Sequence, residues 1–307
     1  MHYKVVVFGV KDTTESMVNY ISKNICPVDL IITIAEKVSL VNNISGFSSL
    51  STLAKELKVF VYEADSYALS SEACEDFFNN NTFDVGISMG WQRLIPQYVL
   101  NRFTYGVFGF HGSSGYLPYG RGRSPMNWSI IEGDQRFILN LFRYDSMPDS
   151  PNVFDKVMFE INEHDTIRTL QYKNILCAKQ MVKKLIEAYQ VNDIKIQSNS
   201  KDFDLWYSKR TAEDGKIDFH SKTRDIYNLI RGVSNPFPGA FAYLNGEKII
   251  IWQAYPFDSV LDFSSYAPGE VIEIFYEKPI VRTIDGSLII YDYEYSGSSM
   301  SVGEKIE

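Results

Sequence analysis

The sequence predicts an α/β protein: a mostly parallel sheet with helices on both faces, followed by a smaller antiparallel β domain. Three features carry this. Over the first 90 residues, short apolar runs alternate with helical segments, the pattern of a parallel sheet built by crossover connections. Beyond residue 204 the pattern changes to strand-like runs separated by turn dipeptides such as Asn245-Gly246 and Asp285-Gly286. Between the two, residues 191 to 204 are dominated by polar side chains, which places a linker there and divides the chain into 1–204 and 205–307.

The elements follow in order. KVVVF at 4–8 is a short apolar strand ending at Gly9, and Thr13 to Ser22 reads as a helix. VDLIITIA at 28–35 is a second buried strand, LSTLAKEL at 50–57 is helical, and KVFVYEAD at 58–65 is a third strand. CEDFFNNN at 74–81 is helical and FDVGISMG at 83–90 is a fourth strand. YGVFGFHGS at 105–113 is an apolar strand running into Gly-Ser turns. A helix is expected after Trp128, a strand over RFILNLFRYD at 136–145, and one long amphipathic helix over 164–190. In the second part, residues 216–244 hold one helix and a Pro-rich turn. The runs 247–255, 269–275, 279–285 and 287–295 are strands, and their spacing fits a small antiparallel barrel of oligonucleotide/oligosaccharide-binding type.

Composition narrows the function. With 45% hydrophobic and 22% charged residues, the chain is ordinary for a globular protein. A formal net charge of -8 disfavours a general nucleic-acid surface, because phosphate binding needs clustered Lys and Arg. No apolar run is long enough to cross a membrane, and MHYKVVVFGV turns polar too quickly for a signal peptide, so a cytoplasmic protein is expected. Cys26, Cys74 and Cys177 are widely spaced, form no metal pattern, and read as free thiols. The turn at Gly9 has neither G-x-G-x-x-G nor G-x-x-x-x-G-K-[ST], so it supports no dinucleotide or nucleoside triphosphate.

The stretch GFHGSSGYLPYGRGRSPMNW at 109–128 stands apart. His111, one of only four histidines, falls at the carboxyl end of a predicted strand, where open α/β sheets place their sites. A histidine there can exchange protons near neutral pH; the structural alternative is a core or turn histidine held by a backbone carbonyl. Arg121 and Arg123 flank Gly122 before a helix, and could hold a carboxylate or diphosphate or simply face solvent. Trp128 reads as core packing rather than a stacking platform. His2, His164 and His220 have no motif around them and are expected at the surface.

Together these residues resemble a known signature. His111-Gly112-Ser113, Leu117-Pro118, Arg121-Gly122, Pro125 and Trp128 match that of the formyltetrahydrofolate-dependent formyltransferases. YDSMPDSPNV at 144–153 is similar to the family's acidic loop through Asp145, Asp149 and Ser150; Met147, Pro151 and Asn152 depart from it. GWQRLIPQYVL at 90–100 resembles the loop and helix before the histidine strand. The segment from Asp214 to Tyr243 resembles the start of the C-terminal domain of methionyl-tRNA and amino-sugar formyltransferases. The resemblance implies a Rossmann-like formyltransferase domain followed by a small barrel-like domain. It also implies transfer of a formyl group from N10-formyltetrahydrofolate to a primary amine, without a metal. His111 and Asp149 would be the acid–base pair. Gly90, Trp91, Arg93, Leu94 and Asp145 would line the folate site, and Arg121, Arg123 and Tyr119 the acceptor site.

One departure bears on the chemistry. The family's pattern is Asn-x-His, and the position two before His111 is Gly109, which has no amide. Two extra residues also separate His111 from Leu117-Pro118. Asn140, inside an otherwise apolar strand, is the candidate replacement; its alternative is an Asn hydrogen-bonded to a neighbouring strand. Backbone N–H groups of the turn 112–115 are another. The nearly neutral stretch 35–57 and the net charge favour a nucleotide-linked amino sugar as acceptor over methionyl-tRNA. A homodimer is compatible with this reading, and a catalytically weakened binding protein is its alternative.

Overall fold

The computed structural model describes the chain except residues 43, 45, 146–151, 199–204 and 298. Two compact units interleave in sequence. The first comprises Met1–Arg121, Ile138–Met158 and Asn174–Leu205; the second comprises Gly122–Phe137, Phe159–Lys173 and Trp206–Glu307. A cut at 204/205 alone would leave Gly122–Phe137 and Phe159–Lys173 with the first part of the chain.

The elements run β1 (His2–Phe8), α1 (Asp12–Asn24), β2 (Leu30–Ile34), α2 (Glu36–Val41), α3 (Ser51–Leu57), β3 (Phe60–Ala64), α4 (Glu72–Asn79) and β4 (Thr82–Ser88). They continue with α5 (Gln97–Leu100), β5 (Phe103–Ser113), β6 (Arg121–Gly122), α6 (Pro125–Ile131), β7 (Arg136–Arg143), β8 (Asn152–Glu160), α7 (Ile167–Gln190), β9 (Gln197–Ser198) and β10 (Trp206–Tyr207). The last are α8 (Thr223–Val233), β11 (Ala240–Leu244), β12 (Glu247–Asp258), β13 (Val271–Phe275), β14 (Lys278–Arg282) and β15 (Ser287–Tyr295).

The first unit is built on a sheet of order β3-β2-β1-β4-β5-β7-β8-β9. The first five of these strands are parallel, and β7 joins β5 antiparallel. The central strands are buried on both faces, which is why they read as unbroken apolar runs: all five residues of β2 are buried. Phe8, Phe83, Phe103, Phe78 and Trp91 fill one core, with Phe83 and Phe103 stacked at 4.7 Å. Burying each such ring contributes about 1.5–3 kcal/mol. The strand order turns back between β1 and β4, so the crevice beyond their carboxyl ends is the natural site of this sheet.

In the second unit, β11-β12-β15-β14-β13 form an antiparallel sheet over α8. The segment 303–307 joins its two edges. Tyr243 and Glu307 exchange backbone hydrogen bonds, and Ile306 N donates to Gly269 O at 2.9 Å, which gives the sheet the closed, barrel-like character its spacing predicts. The sequence reading lacks α2, β6, β9, β10 and β11, and two further elements differ from expectation. The helix expected after Trp128 is α6, which contains Trp128, because Pro125 sets the first-turn φ and starts the helix earlier. Strand β8 is absent from the sequence reading because its apolar residues are interrupted by Asp155 and Lys156, leaving no clean period.

Candidate active site

The site is assembled at the carboxyl ends of β1, β4 and β5. The ends of β1 and β4 are tied by Thr14 of α1, whose hydroxyl donates to Met89 O at 2.5 Å. Gly9 is required by this close approach, since a Cβ there would overlap the Thr14 side chain and the Met89 carbonyl. Gly90 has φ +80, and a Cβ would crowd Thr14 Oγ1 at 2.8 Å. The turn after β1 is therefore a packing device. Lys11, which follows it, is half-buried, and desolvation lowers its pKa against the opposing pull of Asp12.

The loop after Gly90 divides its residues. Trp91 is only 7% exposed and packs edge-on against Phe8 at 6.1 Å and Tyr67 at 4.9 Å. Its indole N–H has no partner among the described residues. Gln92 N donates to the Tyr67 hydroxyl at 2.8 Å, and the Arg93 guanidinium lies 5.6 Å over the Tyr67 ring. Leu94 is 70% exposed. Of the five residues expected to line the folate site, four lie here: Gly90 shapes the loop, Trp91 belongs to the core, and Arg93 and Leu94 present a cation and an apolar side chain at the surface.

His111 lies two residues beyond the end of the neighbouring parallel strand, because Ser88, the last residue of β4, pairs with Gly109. It is buried, whereas His2, His164 and His220 are exposed. Its Nε2 is 2.7 Å from Gly120 O. A carbonyl only accepts, so Nε2 carries the proton, and in the neutral ring the basic lone pair is on Nδ1. The backbone carbonyl contact expected of a structural histidine is thus present, and it selects the tautomer.

Across the antiparallel β5–β7 pair, His111 faces Asn140, Gly109 faces Phe142 and Ser113 faces Ile138. Alternation puts Gly109, His111, Asn140, Phe142 and Tyr144 on one face of the sheet. Asn140 is fully buried, and its amide donates to the carbonyls of His111 and Ile138, each at 3.3 Å. Its amide protons are committed to backbone, and its Oδ1 has no partner among the described residues. The place of a residue-109 side chain is taken by Tyr144: a Cβ built on Gly109 would overlap the Tyr144 hydroxyl and ring carbons. Tyr144 is half-buried, held by Tyr144 N to Val107 O at 2.8 Å, and its ring lies 5.3 Å from Phe142. Sequence reasoning missed Tyr144. The signal was a glycine on one strand diagonal to a tyrosine on the next, readable only once the two strands are paired antiparallel.

Asp145 accepts from Asn152 Nδ2 at 2.9 Å, so the residue that departs from the family's acidic loop binds the loop's first aspartate. Asp149 and Ser150 lie outside the described residues. Tyr119 is half-buried and its carbonyl accepts from Ser113 Oγ at 2.8 Å. Of the two arginines, Arg121 in the first unit is buried, while Arg123 in the second is exposed, with its backbone N donating to Tyr207 O at 3.1 Å. Trp128, also in the second unit, stacks on Tyr207 at 5.7 Å and is covered by Arg210 at 4.8 Å, a packing role. No helix among the described residues is long and apolar enough to cross a membrane.

The parallel-dominated sheet and the separate antiparallel sheet match the formyltransferase fold. Residues 209–306 match the family "Formyl transferase, C-terminal domain". Over 233 residues it is 30% identical to the bifunctional polymyxin resistance protein ArnA of Wigglesworthia glossinidia brevipalpis, covering 76% of this chain and 34% of that one. The chain therefore spans about a third of that relative's length. Among solved structures it is similar to an N-formyltransferase from Helicobacter canadensis in complex with folinic acid and dTDP-3-aminofucose. That likeness has a TM-score of 0.67 and 19% identity, over 94% of this chain and 98% of that one. It is also similar to HypX from Aquifex aeolicus in complex with tetrahydrofolic acid, with a TM-score of 0.65 and 18% identity, over 97% of this chain and 45% of that one.

Proposed function

We propose that this protein transfers the formyl group of N10-formyltetrahydrofolate to the amino group of a nucleotide-linked amino sugar in the cytoplasm. The observation that carries the reading is His111, buried at the carboxyl edge of the sheet with its Nε2 proton held by Gly120 O. That contact fixes which ring nitrogen carries the proton in the neutral ring. The folate supplies an activated formyl carbon. Arg93 and Leu94 suit its charged and flat apolar parts, and Asp145 with Asn152 would border it.

The acceptor amine forms a C–N bond to the formyl carbon while the carbonyl pair moves onto oxygen. Return of that pair expels N10 of the folate. The amine loses one proton and N10 gains one, so the products are a formamide and tetrahydrofolate. His111 takes the amine proton and can return it to N10, a role worth about 10²–10⁴-fold in rate. The half-buried Tyr119 and the buried Arg121 would contact the nucleotide-linked acceptor.

The deciding experiment incubates the purified chain with N10-formyltetrahydrofolate and a set of dTDP-linked 3-amino and 4-amino dideoxy sugars. Mass spectrometry is expected to show one formyl group gained by one of them. Formylation of methionyl-tRNA, with none of any sugar, would overturn the sugar reading.

A further inference from the structure

The second unit holds a cleft that the formyl-transfer reading does not use. It measures about 580 Å³ and is formed by the β13–β14 hairpin, β15 and the chain at Met300. The described residues that line it all belong to the second unit. Clefts of about 300–1,000 Å³ at the ends of small barrels are a common place for small ligands.

Two local irregularities build it. Along β15, the consecutive residues Tyr291, Asp292 and Tyr293 all line the cleft, although strict alternation would turn the middle one away. The β12–β15 register slips between Gln253/Asp292 and Ala254/Ile290, so Tyr291 is an extra residue on β15, and a bulge of this kind re-aims side chains. The second irregularity is the hairpin, where Phe275 pairs with Lys278 across a two-residue turn. Its central residues, Tyr276 and Glu277, have φ +47 and +64, where Asn and Gly are the usual occupants. Bulky residues held there are strained, and such strain gathers at ligand clamps. The turn brings Glu277 to the cleft.

The chemistry of the lining selects the ligand. Glu277 and Asp292 repel phosphate, which disfavours a nucleotide or nucleic acid. A cationic ligand is disfavoured because a cation is already built in. The Lys278 ammonium donates to Tyr291 O at 2.8 Å and lies 5.9 Å from the centre of the Tyr291 ring. An apolar ligand would strip water from three charged groups without replacing their hydrogen bonds. What remains is a neutral molecule with many hydroxyls and an apolar face. Its hydroxyls donate to the carboxylates, which only accept, and its oxygens accept from Lys278. Its C–H face lies on the exposed Tyr291 ring. We propose that this cleft is a binding site for a neutral sugar. The proposal does not depend on formyl transfer, which uses none of these residues.

The test is saturation-transfer NMR of the full chain with the methyl glycosides of glucose, galactose, mannose, fucose and rhamnose. Each is used at about 10 mM, enough to occupy a site with a Kd of about 1 mM. At least one is expected to bind. Tyr291→Phe keeps the ring and should keep the signal, whereas Tyr291→Ala should abolish it. Asp292→Asn should raise Kd about tenfold, because the hydrogen bonds it accepts lose their charge. Both side chains are exposed, so Tm should stay that of the parent. No binding by any glycoside overturns the proposal, as does a signal that survives Tyr291→Ala or a Kd unchanged in Asp292→Asn. A glycoside displaced by dTDP would sit in a nucleotide site elsewhere and also overturn it. So would a wild-type dimer that Tyr291→Ala dissociates, since a second copy would then cover the cleft.

Discussion

Asn140 sits directly opposite His111 on the neighbouring strand, with its amide nitrogen 3.3 Å from the His111 carbonyl oxygen. The side chain therefore braces the backbone that carries the histidine rather than pointing a free donor at a substrate. Asn140→Ala is expected to cost about 0.5–1.5 kcal/mol for each hydrogen bond lost, measured by urea unfolding. Its kcat should fall less than that of His111→Ala. A larger kcat loss at unchanged stability would return Asn140 to the chemistry.

His111→Asn and His111→Ala should nearly abolish formyl transfer, by about 10²–10⁴-fold, while circular dichroism stays that of the parent. Near wild-type turnover in either would remove His111 from the mechanism.

Gly109→Ala places a methyl group inside the Tyr144 phenol. The ring must move, at a cost of about 1–3 kcal/mol, read as a lower Tm. Because the clash is with one side chain, Tyr144→Ala should suppress it, so the two substitutions should be strongly non-additive in a double-mutant cycle. Additive losses would show that the overlap is relieved elsewhere.

Stability should have an acid limb set in the second unit. Burial pushes the Asp165 carboxyl up, but Lys173 at 2.5 Å, the Asn162 N–H and the Thr169 hydroxyl outweigh it and hold its pKa below the ordinary value. A carboxyl depressed in the folded state contributes stability above its unfolded pKa, about 3.9, and loses that contribution as pH falls through the lower folded value. Lys173→Met should therefore destabilise the protein near neutrality and flatten its loss of stability below about pH 4. An unchanged acid limb, followed by thermal unfolding, would show that other carboxylates set it.

How much of this was legible in the sequence depends on the range of the interactions. The parallel strands were readable because burial on both faces makes them continuous apolar runs, as in β2. His111 at a strand end followed from the local pattern of apolar residues and glycines. Asn140 was legible as an oddity, a polar group in an apolar strand, but not the destination of its amide, which depends on the β5–β7 register. Tyr144 was hidden for the same reason: its contact with Gly109 crosses two strands on a diagonal, and nothing within either strand reports it. The burial of Trp91 and exposure of Leu94, close neighbours in one loop, depend on the core they meet rather than on their own types.

The interleaving of the two compact units bears on synthesis. The backbone passes from one to the other at 121/122, 137/138, 158/159, 173/174 and 205/206. Helix α6 leaves the ribosome early, yet Asn127 on it donates to Gly232 O, 105 residues later, and Arg231 donates to the carbonyls of Asn162 and Asp165. Ile130 and Phe137 can pack with Ile161, Ile167 and Leu170 once these are made, but the bonds to α8 and the residues after it must wait for them to be translated. Domains usually mature in the order they are made. Here a nascent chain halted anywhere between 137 and 223 presents Ile130 and Phe137 without the helix that completes their unit. The vulnerable window in the life of this protein is its translation.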